Sequence, residues 1–199
     1  MIDLQQKSGV IENFCTLREL ETWKTKFQIF SPSGPDFFQC WGINWQNSLA
    51  ELWFQKTIFD RLKPHCDKNM KSIFAMYSNS TKPWHLHDDL YHMEHEWIKG
   101  KPYITWLIPF QVDEDPNKTP MAATVVFNEK NFNGPKNQLQ KDRLTHCNSN
   151  ELETVTVHHM YQWQVGNLIW WDMTLIHASA SFDGFSSKQM LVGHTYLET

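Results

Sequence analysis

The sequence predicts a mainly β protein with N-terminal helices, folded as a double-stranded β-helix, or jelly roll. Two patterns lead there. Helical periodicity is confined to the first 64 residues, and from about residue 72 the chain breaks into seven short strand-like segments separated by polar or Pro/Gly stretches. At 199 residues and 41% hydrophobic content the chain can bury a real core. That length fits one domain, 1–199, with 1–64 as helical cover and 72–199 as the jelly-roll core.

The elements follow in order. Thr16 and Glu19 have capping-box spacing, and Leu17, Leu20, Trp23 and Phe27 then recur on one helical face. Ser31-Pro32-Ser33-Gly34-Pro35 stops that helix. Ser48 and Glu51 repeat the box, and Leu49, Leu52, Trp53, Phe59 and Leu62 form a second stripe that ends at Pro64. Strands are expected near Ile73–Tyr77, Trp84–His87, Tyr103–Val112, Ala122–Phe127, Thr154–Trp163, Asn167–Trp171 and Gln189–Tyr196. Within Thr154–Tyr161, Thr154, Thr156 and His158 alternate with Val155, Val157 and Tyr161, the signature of a half-buried antiparallel strand. Asn128–Asn150, with Gly134-Pro135 and many Lys, Asn and Gln, reads as a long loop of the kind that covers a site.

Composition narrows the function classes. A formal charge of -4 supplies no general basic field for a nucleic-acid backbone or an anionic membrane. No apolar run approaches the ~20 residues that span a bilayer. Cys15, Cys40, Cys66 and Cys147 are scattered without a C-x-x-C pair, and the N-terminus lacks the blocks of a signal peptide. Free thiols in a reducing cytoplasm are the expectation.

Chemistry concentrates in the histidines. Three places carry His-x-acid: His65-Cys66-Asp67, His87-Asp88-Asp89 and His92-Met93-Glu94. The bare pattern is common by chance, so context decides. His65 follows the helix stop at Pro64 and precedes a polar run, as a solvated loop residue would. His87 ends the strand-like Trp84-His85-Leu86-His87, where alternation puts His85, His87 and Asp89 on one side. His92 and Glu94 stand inside a polar run and rank second.

A third ligand is sought downstream. Of His146, His158, His159, His177 and His194, only His177 follows a strongly apolar, turn-led segment, Gly166–Asp172. The small residues Ala178, Ser179, Ala180 and Ser181 come next and leave room beside a metal. His158 and His159 read as ordinary strand residues, and His194 as a partner behind the ligands. Two His and one carboxylate on one face of a metal leave its opposite face open for chemistry. Lys188 is the one Lys or Arg between Leu144 and Thr199, and it leads into the apolar Met190-Leu191-Val192. Such a lysine is ordinarily a surface residue with a snorkelling stem. Its placement eleven positions after His177 also suits a cation for the far carboxylate of a di-acid.

From Tyr77 to Tyr196 the order of these residues resembles the catalytic core of the Fe(II)/2-oxoglutarate-dependent dioxygenases, in the manner of the prolyl-hydroxylase and phytanoyl-CoA-hydroxylase branches. Gly166-Asn167-Leu168 stands where that family often has Gly-Asp-Leu, and Lys188 where many members carry Arg. The resemblance implies Fe(II) held by His87, Asp89 and His177, with 2-oxoglutarate as co-substrate and O2 as oxidant. It implies co-substrate contacts from Lys188, from Tyr77, which lies ten residues before His87, and from Thr105 or Tyr103. Core packing is the competing reading for both tyrosines. Asp89 argues against a halogenase, in which chloride replaces the carboxylate, so hydroxylation with release of succinate and CO2 is the expected outcome. Paired arginines after the distal His, usual in the nucleic-acid repair branch, do not occur, which counts against nucleic acid without eliminating it and favours a small molecule, an amino acid or a peptide side chain as substrate. Trp84, His85 and Asp88 are the candidate substrate contacts.

Two other classes fit part of the pattern. A cupin-type metalloenzyme could use His85-x-His87 with a later His, but the Glu that motif needs is replaced by Tyr91 and His92. A jelly-roll carbohydrate-binding module would use Trp-rich strands as a platform and leave the histidines incidental.

Overall fold

The computed structural model describes residues 2–27, 38–42, 52–114, 122–129, 144–182 and 185–199. Nine strands are named β1 (Ser8–Ile11), β2 (Phe38–Gly42), β3 (Met70–Ser80), β4 (Gly100–Glu114), β5 (Ala123–Glu129), β6 (Val155–Gln162), β7 (Leu168–Asp172), β8 (His177–Ser179) and β9 (Phe185–Glu198). They form a six-stranded sheet in the order β1-β7-β4-β9-β3-β2 and a three-stranded sheet in the order β6-β5-β8. Every pairing is antiparallel. From β6 onward the chain alternates between the sheets, β6 and β8 in the smaller and β7 and β9 in the larger, as a jelly roll does.

Period-two alternation sorts the larger sheet into two faces. Ala75 and Tyr77 of β3, Ile104, Trp106, Ile108 and Phe110 of β4, Leu168 and Trp170 of β7 and Leu191 of β9 pack beneath the N-terminal helices with Phe14, Leu20, Trp23, Phe54 and Ile58. The residues between them point the other way. Leu107, Ile169, Trp171 and Met190 meet Val126, Tyr161 and Trp163 of the smaller sheet in a second cluster. The space between the sheets is therefore apolar at one end and open to a cavity at the other. Gly193 of β9 is the register partner of Trp106, and a Cβ there would run into the indole, so the flat ring is accommodated only over a glycine.

The expected N-terminal helix is α1 (Leu17–Phe27), and its capping box is formed: Thr16 Oγ1 accepts from Glu19 N at 3.3 Å, and Glu19 Oε2 accepts from Thr16 N at 2.8 Å. The second helical run covers 52–65, with a π-helical stretch at Gln55–Phe59 and a 3-10 turn at Lys63–His65. Its capping pair Ser48 and Glu51, and the stripe residue Leu49, lie outside the described residues. The first 64 residues are not helical throughout, because β1 and β2 form the two edges of the larger sheet. Both strands are short, so neither has the length for a convincing period-two signal.

Trp84–His87 is also not a strand. Among the described residues it makes an isolated bridge between His87 and His177 and a backbone hydrogen bond from Ser179 N to the Trp84 carbonyl, without forming a ladder. The other strand expectations match β3, β4, β5, β6, β7 and β9 with shifted ends, and β8 is additional. Of the Asn128–Asn150 loop, residues 130–143 lie outside the described residues. Cys15, Cys66 and Cys147 are buried free thiols, and burial pushes the first two up to about 12. No helix among the described residues is long and apolar enough to cross a membrane.

Candidate metal and co-substrate site

A cavity of about 670 Å³ opens between the sheets, and His87, Asp89 and His177 line it together with Lys188. Local structure brings the first three together. His87 and His177 exchange backbone hydrogen bonds, N to O at 3.1 Å and 2.8 Å, which sets their rings 4.2 Å apart on the same side. Asp89 follows two residues after His87 and enters the 3-10 turn Leu90–Glu94, so its carboxylate turns inward. Ligand atoms of the three lie within 4.8 Å of one another, and His177 Nε2 is 3.5 Å from Asp89 Oδ2.

The histidine tautomers follow from their neighbours. His87 Nδ1 faces the His85 carbonyl at 2.8 Å and His177 Nδ1 faces the Leu175 carbonyl at 3.1 Å. A carbonyl only accepts, so both Nδ1 atoms carry the proton and both Nε2 lone pairs are free for a metal. Burial drives His177 down to about 4, against the opposing pull of Asp89, so its imidazole is neutral at physiological pH. Burial pushes the Asp89 carboxyl up, but His177, His194, His87 and the Thr105 hydrogen bond outweigh it and hold the acid below its usual range. Two imidazoles oriented by backbone carbonyls and a carboxylate constitute a donor set that fits a divalent metal.

Behind Asp89 stands a short chain. Thr105 Oγ1 donates to Asp89 Oδ2 at 2.6 Å and lies 3.0 Å from His194 Nδ1. The hydroxyl has one proton, which the carboxylate takes, so His194 Nδ1 donates in turn to Oγ1. Thr105 thus holds the Asp89 carboxylate in place and also lines the cavity. Replacing Thr105 with Val is expected to weaken metal binding about tenfold or more, measured by chelator competition, while Ser at the same position restores it. Equal weakening by both substitutions would show that the hydroxyl is not what matters.

Asp89, His92 and His194 form another group with metal-ligand spacing. Their geometry is unsuitable for a cage: the His92 and His194 rings stack at 4.1 Å with 28° between planes, so their in-plane lone pairs run side by side instead of converging. Burial drives His92 down to about 3.

Lys188 sits at a different part of the same cavity and is 2% exposed. Its Nζ donates to Ser179 Oγ at 2.7 Å and lies 4.4 Å from the Trp163 ring and 5.5 Å from the Phe182 ring. Among the described residues no carboxylate pairs with it, and burial lowers it to about 7. Trp163 Nε1 in turn bonds Thr124 Oγ1 at 3.0 Å, and Thr124 lines the cavity beside Ser179. Among the described residues a hydroxyl and two ring faces surround this buried amine, an arrangement that can receive an anion.

The remaining sequence candidates divide. Trp84, His85 and Asp88 line the cavity. Tyr77 does not: it points to the opposite face of β3 from Phe74 and Met76, packs edge-on to Phe110 at 5.4 Å and donates to Gln189 Oε1. Tyr103 is also in the helix-covered core, because the β4–β9 register slips between Pro102 and Thr105 and removes Tyr103 from the face that Thr105 and Leu107 share. Its hydroxyl accepts from Asp67 N at 3.1 Å. Ser179, one of the small residues after His177, lines the cavity, as do Thr124 and Trp171, which no sequence motif singles out. Period-two alternation along β9 turns Lys188, Met190, Val192 and His194 to one inward face.

No family model and no curated protein matches the sequence. Solved structures do match in fold. HygX from Streptomyces hygroscopicus, with nickel and 2-oxoglutarate bound, aligns with a TM-score of 0.61 and 12% identity over 99% of this chain and 88% of its own. A 2OG-Fe(II) oxygenase family oxidoreductase from Burkholderia pseudomallei gives 0.64 and 9% over 97% and 86%. A Pseudomonas putida prolyl-4-hydroxylase gives 0.57 and 8% over 99% and 96%. The chain thus has the double-stranded β-helix fold of these oxygenases.

Proposed function

We propose that this chain is an Fe(II)- and 2-oxoglutarate-dependent dioxygenase that hydroxylates a C–H bond of a small molecule or an amino-acid or peptide side chain. The observation that carries the reading is Lys188, a buried cation without a counter-charge among the described residues, in the cavity that also holds a His-Asp-His donor set. His87, Asp89 and His177 would hold the iron through two Nε2 atoms and a carboxylate oxygen. Lys188, with the Ser179 hydroxyl, would take the far carboxylate of 2-oxoglutarate, and Thr124 lies beside them. In the chemistry such a centre supplies, O2 is split so that one oxygen enters succinate as CO2 leaves and the other enters the substrate C–H bond. The chain's own task is to position the two carbon skeletons and exclude bulk water, for which Trp171 and Met190 in the cavity wall are suited. The fold accommodates both proposed substrate types, since HygX has been solved with hygromycin B and another neighbour is a viral collagen prolyl hydroxylase.

Purified protein supplied with Fe(II), 2-oxoglutarate and O2 is expected to form succinate slowly even without its substrate, and His65→Ala to leave that turnover intact. His65 ends the 3-10 turn Lys63–His65 and does not line the cavity. Metal retention without 2-oxoglutarate consumption would favour a cupin-type enzyme, and binding of neither would favour a carbohydrate-binding module.

A further inference from the structure

We infer that the substrate carries a cationic amine or guanidinium group, which faces Asp88 while the organic body lies along a wall of aromatic rings. The inference rests on the iron and 2-oxoglutarate reading and follows from charge and shape. With those groups in place, the positive charges of the metal and Lys188 are matched by Asp89 and the co-substrate dianion. Asp88 is then the carboxylate of the cavity lining that is left without a counter-charge among the described residues. Its Oδ1 accepts from Leu90 N at 3.0 Å, which anchors the side chain and leaves Oδ2 without a partner among the described residues. A half-buried carboxylate in a site closed by substrate pays for desolvation unless a cation arrives with that substrate.

The wall beside it is π-rich. His92 stands between Tyr91 at 3.7 Å and His194 at 4.1 Å, and Phe74 packs on both imidazoles at 4.5 Å and 4.9 Å. Tyr91 is 57% exposed, so this stack runs from the mouth inward, and Trp84 closes on His87 at 5.7 Å. Ring faces attract cations and accept flat or apolar bodies, whereas they offer a carboxylate nothing. An anionic substrate would be repelled by Asp88, and among the described residues Lys188 is the one Lys or Arg of the lining. Lys188 is engaged by Ser179 and two rings at its own part of the cavity.

The test uses full-length protein loaded with Ni(II) and 2-oxoglutarate. Phenethylamine, N-acetylphenethylamine and phenylpropanoate present one body as cation, neutral amide and anion, and binding is followed by quenching of tryptophan fluorescence, since Trp84 and Trp171 line the cavity. The amine is expected to bind about tenfold or more tighter than the amide, with the carboxylate weakest. Asp88→Asn, which keeps the acceptor for Leu90 N, should erase the preference. Glu94→Gln, removing an exposed carboxylate from the neighbouring turn, should preserve it. Equal binding of the three forms, a preference for the carboxylate, a preference that survives Asp88→Asn, or no binding by any form overturns the proposal. Ni(II) and 2-oxoglutarate occupancy, read by equilibrium dialysis on the same samples, reports separately on the metal and co-substrate reading.

Discussion

Asp89→Ala and His177→Ala are each expected to abolish substrate-free succinate formation and to weaken metal binding by at least about 100-fold, the upper end of what is lost when a mere supporting partner of a ligand is removed. The reason is that each supplies one of three donors held by the backbone and not by a flexible tail. His177 is locked by its paired backbone contact with His87 and by the Leu175 carbonyl, and Asp89 by Thr105. The same variants separate a ligand role from a structural one. Without metal, Asp89 is a carboxylate 4% exposed whose carboxyl is held below its usual range by the surrounding imidazoles and the Thr105 hydrogen bond, so at neutral pH the carboxylate contributes stability that Ala there removes. Thermal unfolding of the metal-free Asp89→Ala protein should therefore fall below that of the parent. Its rise in Tm on adding Ni(II) should vanish. Turnover equal to the parent would refute the ligand assignment.

Lys188→Met is expected to raise the 2-oxoglutarate concentration required by about 30-fold to 5000-fold, since truncating one partner of a buried charge pair costs about 2–5 kcal/mol. Metal affinity measured without 2-oxoglutarate should stay unchanged, because Lys188 bonds Ser179 and not a donor of the metal set. The pH dependence has a definite sign. Burial lowers Lys188 from its ordinary value of 10.5 to about 7. Between those two values the unfolded chain binds more protons than the folded one, so Lys188 makes the ligand-free protein more stable as pH rises through that window, and that gain is lost as pH falls to about 7. A bound dianion favours the ammonium and reverses the preference. Binding 2-oxoglutarate above pH 7 then takes up a proton, and its affinity should fall by about tenfold per pH unit until the complex itself titrates. Calorimetry in buffers of different ionisation enthalpy reads that proton directly. An unchanged 2-oxoglutarate requirement in Lys188→Met, or no proton uptake by the parent, removes Lys188 from the co-substrate site.

The two expectations that concern tyrosines show where one-dimensional reasoning ends. Tyr77 precedes His87 by the right number of residues, yet β3 turns Phe74 and Met76 toward the cavity and Tyr77 toward the helices. Tyr103 and Thr105 differ by two residues, which places them on one face of an ideal strand. The register slip after Pro102 separates them. A bulge depends on how a strand meets its partner, and nothing in the local pattern of Tyr103-Ile104-Thr105 announces it.

Alternation of apolar and polar residues, helix capping at Thr16 and the order of His87, Asp89, His177 and Lys188 are local or ordinal properties, and these were legible in the chain alone because each depends on near neighbours or on position. Which side chains meet is a different kind of fact. The bridge between His87 and His177, the hydrogen bond from Thr105 to Asp89 and the Trp163 ring beside Lys188 join residues that are not neighbours in the chain. They exist because two sheets pack at one register, and that register is set by the burial of many side chains together.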